Sequence, residues 1–177
     1  MIRPARGMFC VFVLWLLSGC GFQLRGAYSL PYESIYVAAG DSVVGAGLKR
    51  QIRASGGTRI ADSAKDAQAS FLPAGEWRDA IIVSLSGSGR VREKRLRLRY
   101  AYRIVDAQGR DLVPQAYVEL SRDVSYADSE TLAKTQEEGL LWHDMENDIV
   151  QQLMRRLVAA RPKPPAEMEV RENGVRE

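Results

Sequence analysis

The segment "REKRLRLRYAYRIVD", residues 92–106, alternates from Arg95 to Ile104 between large apolar positions and positions that are charged except for Ala101. Leu96, Leu98, Tyr100, Tyr102 and Ile104 fall on one side, and Arg97, Arg99 and Arg103 on the other. A period of two belongs to a strand, because successive side chains point to opposite faces of a sheet. One apolar and one cationic face means a sheet covered on one side only, which is the habit of antiparallel sheets. The remaining elements must therefore supply partner strands and a single covering layer.

The partners are legible on both sides. In "SFLPAGEWRDAIIVSLS", within residues 69–86, Ile81, Val83 and Leu85 alternate with smaller or polar residues, and "SGSG" at 86–89 reads as a hairpin tip. Gly109 marks the next turn. After it, "AYVELSRDVSY" places Val118, Leu120 and Val124 opposite Glu119 and Asp123. A short β-branched and aromatic run, "SIYVAAG", reads as the first strand. Asp41 or Ser42 can cap a helix through "VVGAGLKRQIRAS", with Val44, Leu48 and Ile52 in one stripe and Gly56-Gly57 as its stop. From Ser129 to Ala160 the period becomes helical, with Leu132, Gly139, Leu140, Trp142, Val150, Leu153, Met154 and Leu157 on a broad arc. The expected fold is α+β, a two-layer sandwich of two helices on one face of a mixed, mainly antiparallel four-stranded sheet.

The amino terminus carries an address. Arg3 and Arg6 precede an uncharged apolar run from Met8 to Leu17, too short for a lasting membrane span of about 20 residues. Leu17-Ser18-Gly19-Cys20 then fits the bacterial lipobox, in which the cysteine thiol is acylated and becomes the new terminus. Residues 1–19 are expected to be removed as a signal peptide, and Cys20 to be the lipid attachment. One acyl chain holds a protein only marginally, so stable anchoring needs more than one. Gly21, in place of the aspartate that favours inner-membrane retention, points to the outer membrane. Residues 20–160 are expected to form one domain, and 161–177, with three prolines in "RPKPP" and little apolar content after it, a disordered tail.

Little in the chain suggests catalysis. Cys10 leaves with the signal and Cys20 is acylated, so no thiol remains for a disulfide, a metal or catalysis. His143 is the only histidine, which excludes a histidine pair for zinc and leaves it a structural or partner-facing role. Asp144, Glu146 and Asp148 read as a solvated helix face, and the glycines of "SGSGR" lack phosphate-loop spacing. We therefore expect a non-enzyme with no metal site and no cofactor.

The formal net charge is +3, of which Arg3 and Arg6 contribute two, so local clusters matter more than the total. Between Arg90 and Arg103 stand seven cations against one acid, Glu93. Those inside the strand have two open readings: cross-strand pairing with acids such as Glu119 and Asp123 or solvation of an exposed face, against an anion-binding strip. Arg90 and Arg92, beside a glycine-rich tip, can reach phosphates. Nucleic acid is not the expected partner of an exported, membrane-tethered chain; a phosphorylated glycolipid is.

The chain resembles the lipopolysaccharide-assembly lipoprotein family LptE, also called RlpB. The resemblance rests on "CGFQLRG" after the lipobox, "LP" and "IYV" at the first strand, "GRDLVP" between late strands and "LAKTQEEG" opening the long helix. It spans most of residues 20–160. It implies a lipid-anchored domain that plugs the outer-membrane β-barrel LptD, helps that barrel to assemble, binds lipopolysaccharide and aids its insertion into the outer leaflet. It also implies ligand-contacting cations at two places, which correspond here to Lys134 and, at the glycine-rich hairpin, to Arg90 or Arg92. Two alternatives remain: a purely structural plug without lipopolysaccharide binding, and an unrelated periplasm-facing lipoprotein.

Overall fold

The computed structural model describes residues 28–126 and 131–161, apart from the side chains of 131 and 132. Cys20 with its lipobox, the helix start expected at Ser129, Leu132 as a side chain and the tail beyond Arg161 lie outside the described residues.

In chain order the elements are β1 (Ser34–Val37), α1 (Val43–Ser55), β2 (Arg59–Ala61), a 3-10 turn (Ala64–Asp66), β3 (Ala69–Leu85), β4 (Val91–Asp106), β5 (Asp111–Ser125) and α2 (Thr131–Ala159). They form one mixed sheet of order β2-β1-β3-β4-β5. Its β3-β4-β5 part is the antiparallel meander that the alternation predicts, while β1 runs parallel to both β2 and β3. The sheet thus has five strands rather than four. The extra strand, β2, is three residues long and has no alternation to betray it; it exists because Ser34, Ile35 and Tyr36 offer it a parallel ladder.

Helix α1 occupies the predicted span. Ser42, rather than Asp41, caps it, its Oγ accepting from the Gly45 amide at 3.4 Å. Gly56 ends it at φ +74°, a left-handed conformation that side chains resist. Two glycines within the helix serve packing. A Cβ on Gly47 would lie 2.9 Å from Val150 Cγ2 of α2, and one on Gly45 would lie 2.0 Å from Ala39 Cβ, just beyond β1.

Both helices cover the same sheet face. Leu96, Leu98, Tyr100, Tyr102 and Ile104 are fully buried there with Ile35, Phe71, Leu48, Ile52, Met145, Ile149, Leu153 and Leu157. Phe71 stacks on Tyr102 with ring centroids 5.5 Å apart. Each such side chain contributes about 1.5–3 kcal/mol by leaving water. The arc predicted for α2 holds from Trp142 onward, but Gly139 and Leu140 do not join the core. Leu140 is 67% exposed, because Met145, Ile149 and Leu153 set the buried side and Leu140 falls off it.

Contacts along α2 fix its direction over the sheet. Glu138 meets Lys94, Glu146 meets Arg78 and Arg156 meets Tyr102, so the helix returns along the hairpin from tip to root. Strand β1 pairs with β3 only through Phe71. Beyond that point no strand among the described residues pairs with the second edge of β3, and the three-stranded meander overhangs the β1-α1-β2 block. Pro73 is tolerated just past the last β1 pairing.

Candidate functional site: the basic tip and the uncovered face

The cations read from the sequence divide into two groups. On the uncovered face Arg95 binds Asp123 through two hydrogen bonds of 2.7 and 2.8 Å, Arg99 binds Glu119 at 2.6 Å and Arg97 meets Asp79 at 3.5 Å. Register explains this directly, since Arg95 sits opposite Asp123, Arg99 opposite Glu119 and Arg97 opposite Asp79. Cross-strand pairing is therefore the answer for these three arginines. The hydrogen bond and the charge of Arg95 hold the Asp123 carboxyl below its ordinary value. Trp77, Ile81 and Tyr117 stand exposed among the pairs, with the Arg99 guanidinium 5.3 Å from the Tyr117 ring centroid.

The second group lies at the tip. The hairpin closes with Gly89 at φ +78° and hydrogen bonds from the Ser86 amide to the Arg90 carbonyl and from the Gly89 amide to the Ser86 carbonyl. Arg90 ends this turn and Arg92 is exposed on the first residues of β4. Lys134 lies in the opening turns of α2 and pairs with Glu137 at 2.7 Å. The far end of β5 connects these places, since the Tyr126 amide donates to the Arg92 carbonyl at 2.8 Å shortly before α2 begins. All three residues thus belong to the same end of the molecule.

Behind them sits a polar lock that the sequence does not reveal. Tyr126 Oη donates to Glu138 at 2.7 Å, and Lys94 Nζ lies 3.5 Å from the same carboxylate and 5.0 Å from the Tyr126 ring. The Tyr126 hydrogen bond first, then the Lys94 charge, hold the Glu138 carboxyl below its usual range. Further toward the root, Arg78 bridges Glu76 and the buried Glu146 at 2.6 and 2.5 Å. Burial works against the Arg78 charge, but the hydrogen bonds to both carboxylates outweigh it and raise its pKa.

Glu146 therefore departs from the solvated face expected of the acids on α2, whereas Asp148 remains exposed and pairs with Arg122 at 2.6 Å. His143 is exposed, with Nδ1 3.4 Å from Glu146. Among the described residues no group of three or more histidine, cysteine, aspartate or glutamate side chains is placed to hold a metal ion. No described helix is long and apolar enough to cross a membrane.

Three solved structures share this architecture. The solution structure of an uncharacterized lipoprotein B from Nitrosomonas europaea is 36% identical, with a TM-score of 0.68, over 78% of this chain and 91% of that one. The rare lipoprotein B from Shewanella oneidensis matches at 17% identity and a TM-score of 0.61, over 71% of this chain and 92% of the other. A minor lipoprotein from Acinetobacter baumannii matches at 20% identity and 0.59, over 77% and 99%. No curated protein sequence matches the chain. Fold and neighbours together define a class, the two-layer α+β domain of bacterial lipoproteins. Within that class the chain belongs to the lipopolysaccharide-assembly family LptE, whose family model it matches over residues 32–157.

Proposed function

We propose that the chain is an outer-membrane lipoprotein, tethered through Cys20 after loss of residues 1–19, that plugs an LptD-like β-barrel, supports its assembly and helps deliver lipopolysaccharide to the outer leaflet. The observation that carries the ligand part is the gathering of Arg90, Arg92 and Lys134 at one end of a domain of this family. Guanidinium and ammonium groups at a projecting tip can grip the phosphates of the glycolipid and loosen cation-bridged aggregates. The uncovered face, a ladder of paired charges interrupted by Trp77, Ile81 and Tyr117, suits contact with the polar lumen of a barrel.

Purification of the tagged chain from native outer membrane in mild detergent tests the partner: a stoichiometric barrel protein is expected, and a solitary lipoprotein would refute it. Charge reversal at Arg90, Arg92 and Lys134 together is expected to abolish binding of lipopolysaccharide. Unchanged affinity would leave the second reading, a structural plug, which the pairing of Arg95 and Arg99 with acids favours because those cations are already neutralised.

A further inference from the structure

A cleft of about 390 Å³ opens outside the carboxyl ends of β1 and β2, where β3 begins its overhang. Its walls include the turn through Ala39 and Gly40, Lys49 and Arg53 from α1, and Ile60 and Asp62 at the end of β2. The volume lies within the range of small-molecule sites, about 300–1,000 Å³.

Three observations set this cleft apart. First, Lys49 and Arg53 are one helical turn apart and share one side of α1, so both project over the same opening. Second, among the described residues neither cation makes an ion pair, and Asp62 makes none either, although all three line the cleft. Arg95 and Arg99, by contrast, meet carboxylates within 3 Å. The cleft therefore holds opposite charges apart, with room between them. Third, β1 is flanked by parallel strands on both sides, β2 reached through α1 and β3 reached later. The carboxyl ends of β1 and β2 therefore open on the same side, and the residues just past them, Ala38 to Gly40 and Asp62, line the cleft.

We propose that this cleft binds a phosphorylated sugar, with Lys49 and Arg53 holding the phosphate and Asp62 accepting hydrogen bonds from the sugar hydroxyls. Two adjacent cations match the charge and geometry of a phosphate, and a lone carboxylate across the cleft selects a hydroxyl-bearing ligand over a bare anion. The site shares no residue with the tip and does not rest on the assignment made there. The same chemistry is offered by a free sugar phosphate and by the headgroup of a phosphorylated glycolipid.

The test is an amide NMR titration of the full lipidated chain in detergent micelles with glucose-1-phosphate, glucose and inorganic phosphate. Glucose-1-phosphate is expected to give saturable shifts at Ala38 to Gly40 and Ile60 to Asp62, while glucose gives none. Lys49→Gln with Arg53→Gln should weaken that binding by about tenfold or more. Asp62→Asn should weaken glucose-1-phosphate but spare inorganic phosphate. Lipopolysaccharide that displaces the sugar phosphate from these amides identifies the glycolipid as the source; failure to displace it identifies the free sugar phosphate. Absence of saturable shifts in the unaltered chain, equal shifts from glucose, or undiminished affinity in the double variant would overturn the proposal.

Discussion

At the scale of single residues, the tightest constraint is the space at Gly45. Alanine is the better helix former by about 1 kcal/mol, but its methyl would lie 2.0 Å from Ala39 Cβ and 3.0 Å from Ala39 Cα. The clash touches backbone, so α1 must shift, and overpacking of this kind costs about 1–3 kcal/mol. Gly45→Ala is therefore expected to lower the denaturation midpoint despite its helix propensity; a rise would refute the close approach. The Arg78–Glu146 pair gives a second expectation. Arg78→Met strands a buried carboxylate and should cost about 1–3 kcal/mol, while adding Glu146→Leu should restore most of it, as read by a double-mutant cycle in urea. Ser42 and Gly56 were legible because caps act locally. Glu146 was not, because its burial depends on which strand lies under the helix.

At the scale of elements, α2 is held to the overhang near its start by Glu138, Tyr126 and Lys94. Glu138 has its pKa lowered in the folded chain, so its contribution is present above the ordinary value of 4.5 and is lost as pH falls through the lower folded value. Amide exchange at the start of α2 should accelerate across that acid window before the root half responds, and Glu138→Gln should remove the pH step. A uniform response along α2 would refute this lock. The pairing of β4 with β5 was legible as one of two open readings, since Glu119 and Asp123 alternate as Arg99 and Arg95 do, but the contact of Arg97 with Asp79 was not, because it depends on the register the β3–β4 hairpin sets. The strand β2 was hidden by its three-residue length, and Leu140 misled because an apolar residue near an apolar stripe carries no mark of which side it occupies.

At the scale of the whole molecule, the meander leaves β3, among the described residues, with an open edge beyond Phe71 and with Ile81, Ile82, Val83 and Leu85 exposed, Ile82 by 53%. A bare edge rich in β-branched residues is a template for pairing with another chain. The isolated protein should self-associate with rising concentration. Ile82→Lys should suppress this in sedimentation measurements while altering stability by only about 0.5 kcal/mol, as surface changes usually do. An unchanged sedimentation profile would acquit the edge. Two-layer architecture and a covered face were legible in the alternation, but the overhang was not, because it depends on how far β1 accompanies β3.

That overhang is also a ruler. Tyr32 reaches the Ala160 carbonyl at the root, joining the first described segment to the residue just past α2. From Phe71 to Leu85 the strand extends for about 45 Å, at about 3.3 Å per residue. Reach is therefore written in residue count. Two residues added to each of β3 and β4 would carry the tip about 7 Å farther without flipping any side chain to the other face, so the working distance of this molecule can be reset by insertion while its core stays as it is.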